Sequence, residues 1–108
     1  METLRNSREF KEVIDGGEKS VLETITIFIL PNHVGQTRIG ISVSRKLGGS
    51  VKRNKIKRRI REAARRTASE IPKSIDLVVI ARKAAEKASY QDIEKDLAQA
   101  LSKYATTT

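Results

Sequence analysis

The side chains with the most chemistry to offer are the cations of residues 44–66, SRKLGGSVKRNKIKRRIREAARR. From Arg45 to Arg66 there are eleven Lys or Arg and one acid, Glu62, so this segment carries +10 while the whole 108-residue chain carries +9. The remainder sums to −1, which makes the basicity a local device and not a general solubility bias. At 100° per residue, Asn54, Lys57, Arg58, Arg61 and Arg65 form one contiguous arc. Arg53 stands at its boundary, and Lys52, Lys55, Arg59 and Arg66 fall on the other flank. Arg53, Lys57, Arg61 and Arg65 repeat at i,i+4, where like charges weaken an isolated helix by about 0.2–0.5 kcal/mol per pair. A sequence that keeps such a run is built to meet a polyanion, and this concentration of charge points to nucleic acid.

Catalysis by the chain itself has no comparable basis. A nuclease needs clustered carboxylates to hold metal ions, or a histidine acid and base. His33 is the single histidine and sits in a Pro-Asn-His-Val-Gly turn without an acidic or nucleophilic neighbour, the setting of a solvated loop residue. Glu86, Glu94 and Asp96 lie among lysines on helical segments. There is no phosphate loop of the G-x-x-x-x-G-K type, and with no cysteine there is neither a disulfide nor a thiolate zinc site. The absence of Cys fits a reducing compartment. No apolar run approaches membrane-spanning length, and METLRNSREF lacks a hydrophobic signal region. The expectation is a soluble cytoplasmic protein, one nucleic-acid-binding domain over residues 1–108, with no membrane association.

The elements that must position these groups can be read in order. Asn6 and Glu9 have capping-box spacing, and Phe10, Val13 and Ile14 share one side of a short helix that Gly16-Gly17 ends. Residues 21–30 alternate, with Val21, Ile25, Ile27 and Ile29 on an apolar face and Thr24, Thr26 and Phe28 on the other. Residues 37–44 repeat the pattern: Ile39, Ile41 and Val43 point inward, and Arg38, Gly40, Ser42 and Ser44 outward. The turn between these strands suits an antiparallel hairpin. The outer face of small polar residues, with Phe28 and flanking Arg38, leaves two readings open. Either a base stacks on Phe28, or a helix of the same protein covers it.

Gly48-Gly49 then break the chain, Ser50 offers a capping oxygen, and Ile56, Ile60, Ala63, Ala64 and Thr67 form the apolar stripe of the basic helix. That stripe has no Trp, Phe or Leu, which suits packing on a sheet better than insertion into lipid. Residues 67–73 are a polar link. IDLVVIA at 75–81 reads as a strand covered on both faces. A helical turn at 83–88 leads to a final helix capped by Ser89 and Asp92, carrying Tyr90, Ile93, Leu97, Ala100, Leu101 and Tyr104 as packing residues and fraying at 106–108. Helix, strand, strand, helix, strand, helix predicts an α+β two-layer sandwich of helices on a small mixed sheet.

Residues 38–65, RIGISVSRKLGGSVKRNKIKRRIREAAR, resemble the signature of the protein subunit of bacterial ribonuclease P. The matching positions are Val43, Ser44, Arg45, Lys46, Gly48, Arg53, Asn54, Lys55, Ile56, Lys57, Arg58 and Arg61. Gly49-Ser50 departs from the Asn-Ala common in that family. Weaker similarity runs from about Leu4 to the final helix, without the longer basic lead-in of many members. The resemblance implies a ribosomal-protein-like fold with about four strands. It also implies a left-handed βαβ crossover, where the general rule gives a right-handed one.

The resemblance further implies that Arg45, Lys46, Arg53, Asn54, Lys57, Arg58, Arg61 and Arg65 bind the catalytic RNA. A cleft bordered by Phe10, Ile14, Phe28, Arg38, Ser42 and Ser44 would take the 5′ leader of precursor tRNA. Phe10 and Phe28 match aromatic cleft positions, and Ile14 replaces a frequent second helix aromatic. The holoenzyme's Mg²⁺ would be held mainly by RNA, the protein would not itself be catalytic, and no obligatory protein partner is implied. Two other classes share part of the pattern. A structural ribosomal protein would have the charge without needing Phe28 on a polar face. A DNA-reading helix would not carry cations all round and would have a second helix joined by a short turn.

Overall fold

The computed structural model describes residues 2–4 and 6–107. In chain order the elements are β1 (Glu2–Thr3), α1 (Ser7–Gly16), β2 (Glu18–Val21), β3 (Ile25–Pro31), β4 (Arg38–Ser42), α2 (Ser50–Arg66), β5 (Ile75–Ala81) and α3 (Tyr90–Thr107). Short 3-10 turns lie at Arg45–Leu47, Ala68–Glu70 and Lys83–Glu86. The sheet order is β1-β4-β5-β3-β2. β4 runs parallel to both β1 and β5, whereas β3 is antiparallel to β5 and to β2.

Strand alternation separates two apolar layers. Ile25, Ile27, Ile29, Ile39, Leu77 and Val79 point to the inner face, where Ile56, Ile60, Ala63 and Ala64 of α2 and Ile93, Leu97 and Leu101 of α3 complete the main core. On the outer face Val13 of α1 packs with Leu4, Phe28 and Val78 in a smaller cluster that Phe10, Leu30 and Ile80 border. The expected α+β arrangement of helices against a small mixed sheet is therefore present, with helices on both faces.

Several expectations need correcting. β3 and β4 do not form a hairpin, because β5 lies between them. With aliphatics on both faces, IDLVVIA takes the position where both faces and both edges are covered. The loop after β3 instead ties to the segment entering β5. Asn32 donates its backbone N–H to the Ser74 carbonyl at 2.8 Å, and Thr37 donates its hydroxyl to the Pro72 carbonyl at 2.6 Å. β1 and β2 are strands that the alternation pattern did not reveal, and they bring the sheet to five strands where the resemblance implied about four. Val21 belongs to β2, opposite Thr26, and residues facing each other across an antiparallel pair share a side. It therefore lies on the outer face and is 55% exposed.

The helix termini differ as well. Ser50 is the first helical residue of α2, the N-cap is Gly49, and no side chain caps it. Gly48 has φ +131°, and a Cβ there would meet Lys52 Cδ at 2.6 Å, so glycine is required at this turn. Asn6 does cap α1, accepting from Glu9 N–H at 2.9 Å. Ser89 and Asp92 cap α3 reciprocally, at 3.0 and 3.2 Å. α3 continues to Thr107, past the expected fraying point, and Thr108 lies outside the described residues.

Candidate nucleic-acid interface

The stripe expected for α2 is buried, and this fixes where its cations point. One flank faces α3 and the turn before it. Lys52 pairs with Glu86 at 3.4 Å, and Arg59 donates to the carbonyls of Glu86 and Ala88 at 3.3 and 3.2 Å. The Arg66 guanidinium sits 4.6 Å from the Tyr90 ring centroid. These cations are a seam between helices. On the opposite side Asn54, Arg58 and Arg61 are exposed and Lys57 is half-buried, and no ion pair forms at Lys57, Arg58 or Arg61 among the described residues.

Arg65 belongs to the arc but donates to both Glu62 oxygens, at 2.6 and 3.1 Å. The bond to Arg65 holds Glu62 below the usual carboxylate range, and the same bond raises the Arg65 pKa. Arg53 is half-buried, and its Nε is enclosed without a hydrogen-bond partner among the described residues. Arg45 and Lys46 are exposed in the turn after β4, where the Ser44 hydroxyl accepts from the Lys46 N–H at 3.2 Å.

On the outer face α1 covers only one end of the sheet. Arg38, at the start of β4, forms a two-pronged pair with Asp76 of β5, Nε to Oδ1 at 2.8 Å and Nη2 to Oδ2 at 2.7 Å. Its third nitrogen reaches Glu9 of α1 at 3.3 Å. On the α1 wheel, buried Val13 separates the side of Glu9 from the side of Phe10 and Ile14. Phe10 therefore faces up the strands, and its ring lies over Gly40, where an added Cβ would be 2.5 Å from Cζ. Ile14 stands beside it, 37% exposed. Beyond this rim the floor is half-buried Ser42, Ile80 and Thr26 with exposed Val21, at the end of the sheet from which β4 leads to Arg45 and Lys46.

The structure thus places Phe10, Ile14 and Ser42 at the border of one part of the outer sheet face that α1 leaves uncovered, with Ser44 exposed beyond the end of β4. Two residues expected on the cleft surface are committed elsewhere. Phe28 is on the outer face but only 7% exposed, because α1 lies over it and the Lys19 ammonium sits 5.9 Å from its ring centroid. Of the two readings left open, the covering helix is the one realised. Arg38 is held by two carboxylates, and its pKa is raised, first by the hydrogen bonding it donates to Asp76. The sequence reading placed Gly40 on the outer face but missed Ile80 and Lys19 there. Ile80 was hidden in an all-aliphatic run, and Lys19 becomes visible only once β2 is paired with β3.

The family model for ribonuclease P matches residues 1–105 of this sequence. The chain belongs to the ribonuclease P protein family. It is 36% identical over 98 residues to a ribonuclease P protein component of Streptococcus pneumoniae, covering 91% of this chain and 80% of that one. A Streptococcus thermophilus counterpart is 37% identical, with 91% and 87% covered. In structure the chain is similar to the ribonuclease P protein of Thermotoga maritima, with TM-score 0.82 and 33% identity over 94% of this chain and 96% of that one. The Staphylococcus aureus protein gives TM-score 0.80 and 32% identity, over 97% and 95%. Membership makes the chain a protein subunit of the ribonucleoprotein endonuclease ribonuclease P, which acts in tRNA processing, and it implies association with the ribonuclease P RNA. Among the described residues no helix is long and apolar enough to cross a membrane.

Proposed function

We propose that this subunit holds the catalytic RNA with the outward arc of α2 and the Arg45–Lys46 turn, and holds the single-stranded 5′ leader of precursor tRNA in the cleft beside α1. The observation that carries the reading is the separation of two surfaces of different chemistry. The arc of Asn54, Lys57, Arg58 and Arg61 offers donors and positive charge suited to phosphates. The cleft offers one ring, Phe10, above a floor of small and aliphatic side chains, a shape that admits an unpaired strand and stacks a base with little preference for sequence. Arg45 and Lys46 lie next to the open end of the cleft, where a leader's phosphates would pass.

Catalysis in this reading resides in the RNA. The protein adds binding that precursor enjoys and mature tRNA does not, and it screens phosphate repulsion between two large RNAs. Among the described residues no three of Asp, Glu, His and Cys are grouped to hold a metal ion, and in this reading the Mg²⁺ of the holoenzyme is held mainly by the RNA. The subunit acts in the cytoplasm and needs no further protein partner. A gel shift comparing precursor with mature tRNA, with and without the catalytic RNA, tests the assignment. Tighter retention of precursor only in the ternary assembly is expected. Equal affinity for both tRNAs would leave a general RNA-binding protein.

A further inference from the structure

We infer that Arg38 is a positioning residue, which clamps α1 to β4 so that Phe10 stands at a fixed height over the cleft floor; this rests on the leader reading above. The base of the clamp is Asp76, on the central strand, with a side chain only 7% exposed. It accepts two bonds from Arg38 and a third from Asn32 Nδ2 at 2.7 Å. A planar fork gripped on two nitrogens has almost no rotational freedom, so the direction of the remaining Nη1 is set by the sheet. That nitrogen meets Glu9 of α1 at 3.3 Å. The next residue along α1 is Phe10, and two residues along β4 from Arg38 is Gly40, against which Phe10 rests without clearance. Neighbouring residues of one helix are thus held by alternate residues of one strand, Glu9 by charge and Phe10 by contact.

The two halves of the clamp can be perturbed separately. Glu9→Gln removes the direct ion pair between α1 and Arg38, leaving only the weaker pull of Glu12 from the same helix, while the Arg38–Asp76 fork stays in place. Gly40→Ala puts a methyl where the far end of the Phe10 side chain now lies, and the ring can swing away without the strand moving. Both changes should displace Phe10 while the catalytic RNA surface and the main core stay as they are.

In the holoenzyme each variant should lower the preference for precursor over mature tRNA by about two- to fivefold, the scale of one partly exposed ion pair, with affinity for the catalytic RNA unchanged. The effect should vanish when either variant is placed in a Phe10→Ala background, a coupling that general loosening would not produce. Hydrogen exchange of the α1 amides gives a readout independent of tRNA, and it should quicken in Glu9→Gln. Unchanged exchange there, or penalties that add in full to that of Phe10→Ala, would overturn the clamp. If Phe10→Ala itself keeps full discrimination, the leader reading falls. If Phe10→Ala loses discrimination while Glu9→Gln and Gly40→Ala keep it, the clamp alone falls.

Discussion

At Asp76 three donors converge on one carboxylate near the start of the central strand, two from Arg38 and one from Asn32. Burial pushes the Asp76 pKa up, but the hydrogen bonds from Arg38 and Asn32 outweigh it and hold the carboxyl below its ordinary range. A carboxylate depressed in the folded state stabilises fully above its unfolded pKa, about 3.9, and loses that contribution as pH falls through the lower folded value. Denaturant titrations should therefore show stability falling below about pH 4, and falling less steeply in Asp76→Asn. At neutral pH that variant should cost about 3 kcal/mol, since it leaves Arg38 facing a neutral group in a mostly buried site. Phe28 and Phe10 should behave differently. Phe28→Ala, in the small core, should cost about 3–5 kcal/mol of folding stability, and the protein that remains folded should still prefer precursor. Phe10→Ala should instead lose about 1–3 kcal/mol of precursor binding with the melting temperature nearly held. An early-melting Phe10→Ala with discrimination intact would reverse these roles. Sequence placed both rings correctly by face. It could not tell which one α1 would cover, because that depends on where the helix crosses the strands.

At the scale of elements, α2 carries two kinds of cation that look alike in sequence. Lys52, Arg59 and Arg66 are held against Glu86, two carbonyls and Tyr90, whereas Lys57, Arg58 and Arg61 point outward. The triple change of Lys57, Arg58 and Arg61 to Ala should weaken catalytic RNA binding whatever the substrate. If three phosphate contacts are lost, the log–log salt slope should fall by about 2 to 3. Arg59→Ala should leave that slope alone and cost about 1–3 kcal/mol in stability, by stripping partners from the carbonyls of Glu86 and Ala88. A slope unchanged in the triple variant would put the RNA on another surface. The apolar stripe of α2 was legible because a 3.6-residue period reports which side is buried. Its two flanks were not, because nothing local distinguishes a cation facing α3 from one facing RNA. The strands divide similarly: alternation gave the faces of β3 and β4 but not their neighbours. Val21 seemed to continue the β3 pattern because the turn at residues 22–24 kept its parity with Ile25 while reversing the chain.

For the whole molecule, the two proposed RNA surfaces should act independently. Combining the triple α2 variant with Phe10→Ala should give losses in precursor binding that add to within about 0.5 kcal/mol, as for separate sites. The position of β5 bears on how such a protein is made. β5 is the last strand to be synthesised, yet it fills the centre of the sheet. Until residue 81 has left the ribosome, β3 and β4 present bare edges to each other, joined by a turn whose length suits direct pairing. A nascent chain can therefore zip these strands into a premature hairpin in the wrong strand order. That hairpin has to open before IDLVVIA can enter between them, so the final closure of the sheet is an insertion and not an addition at an edge.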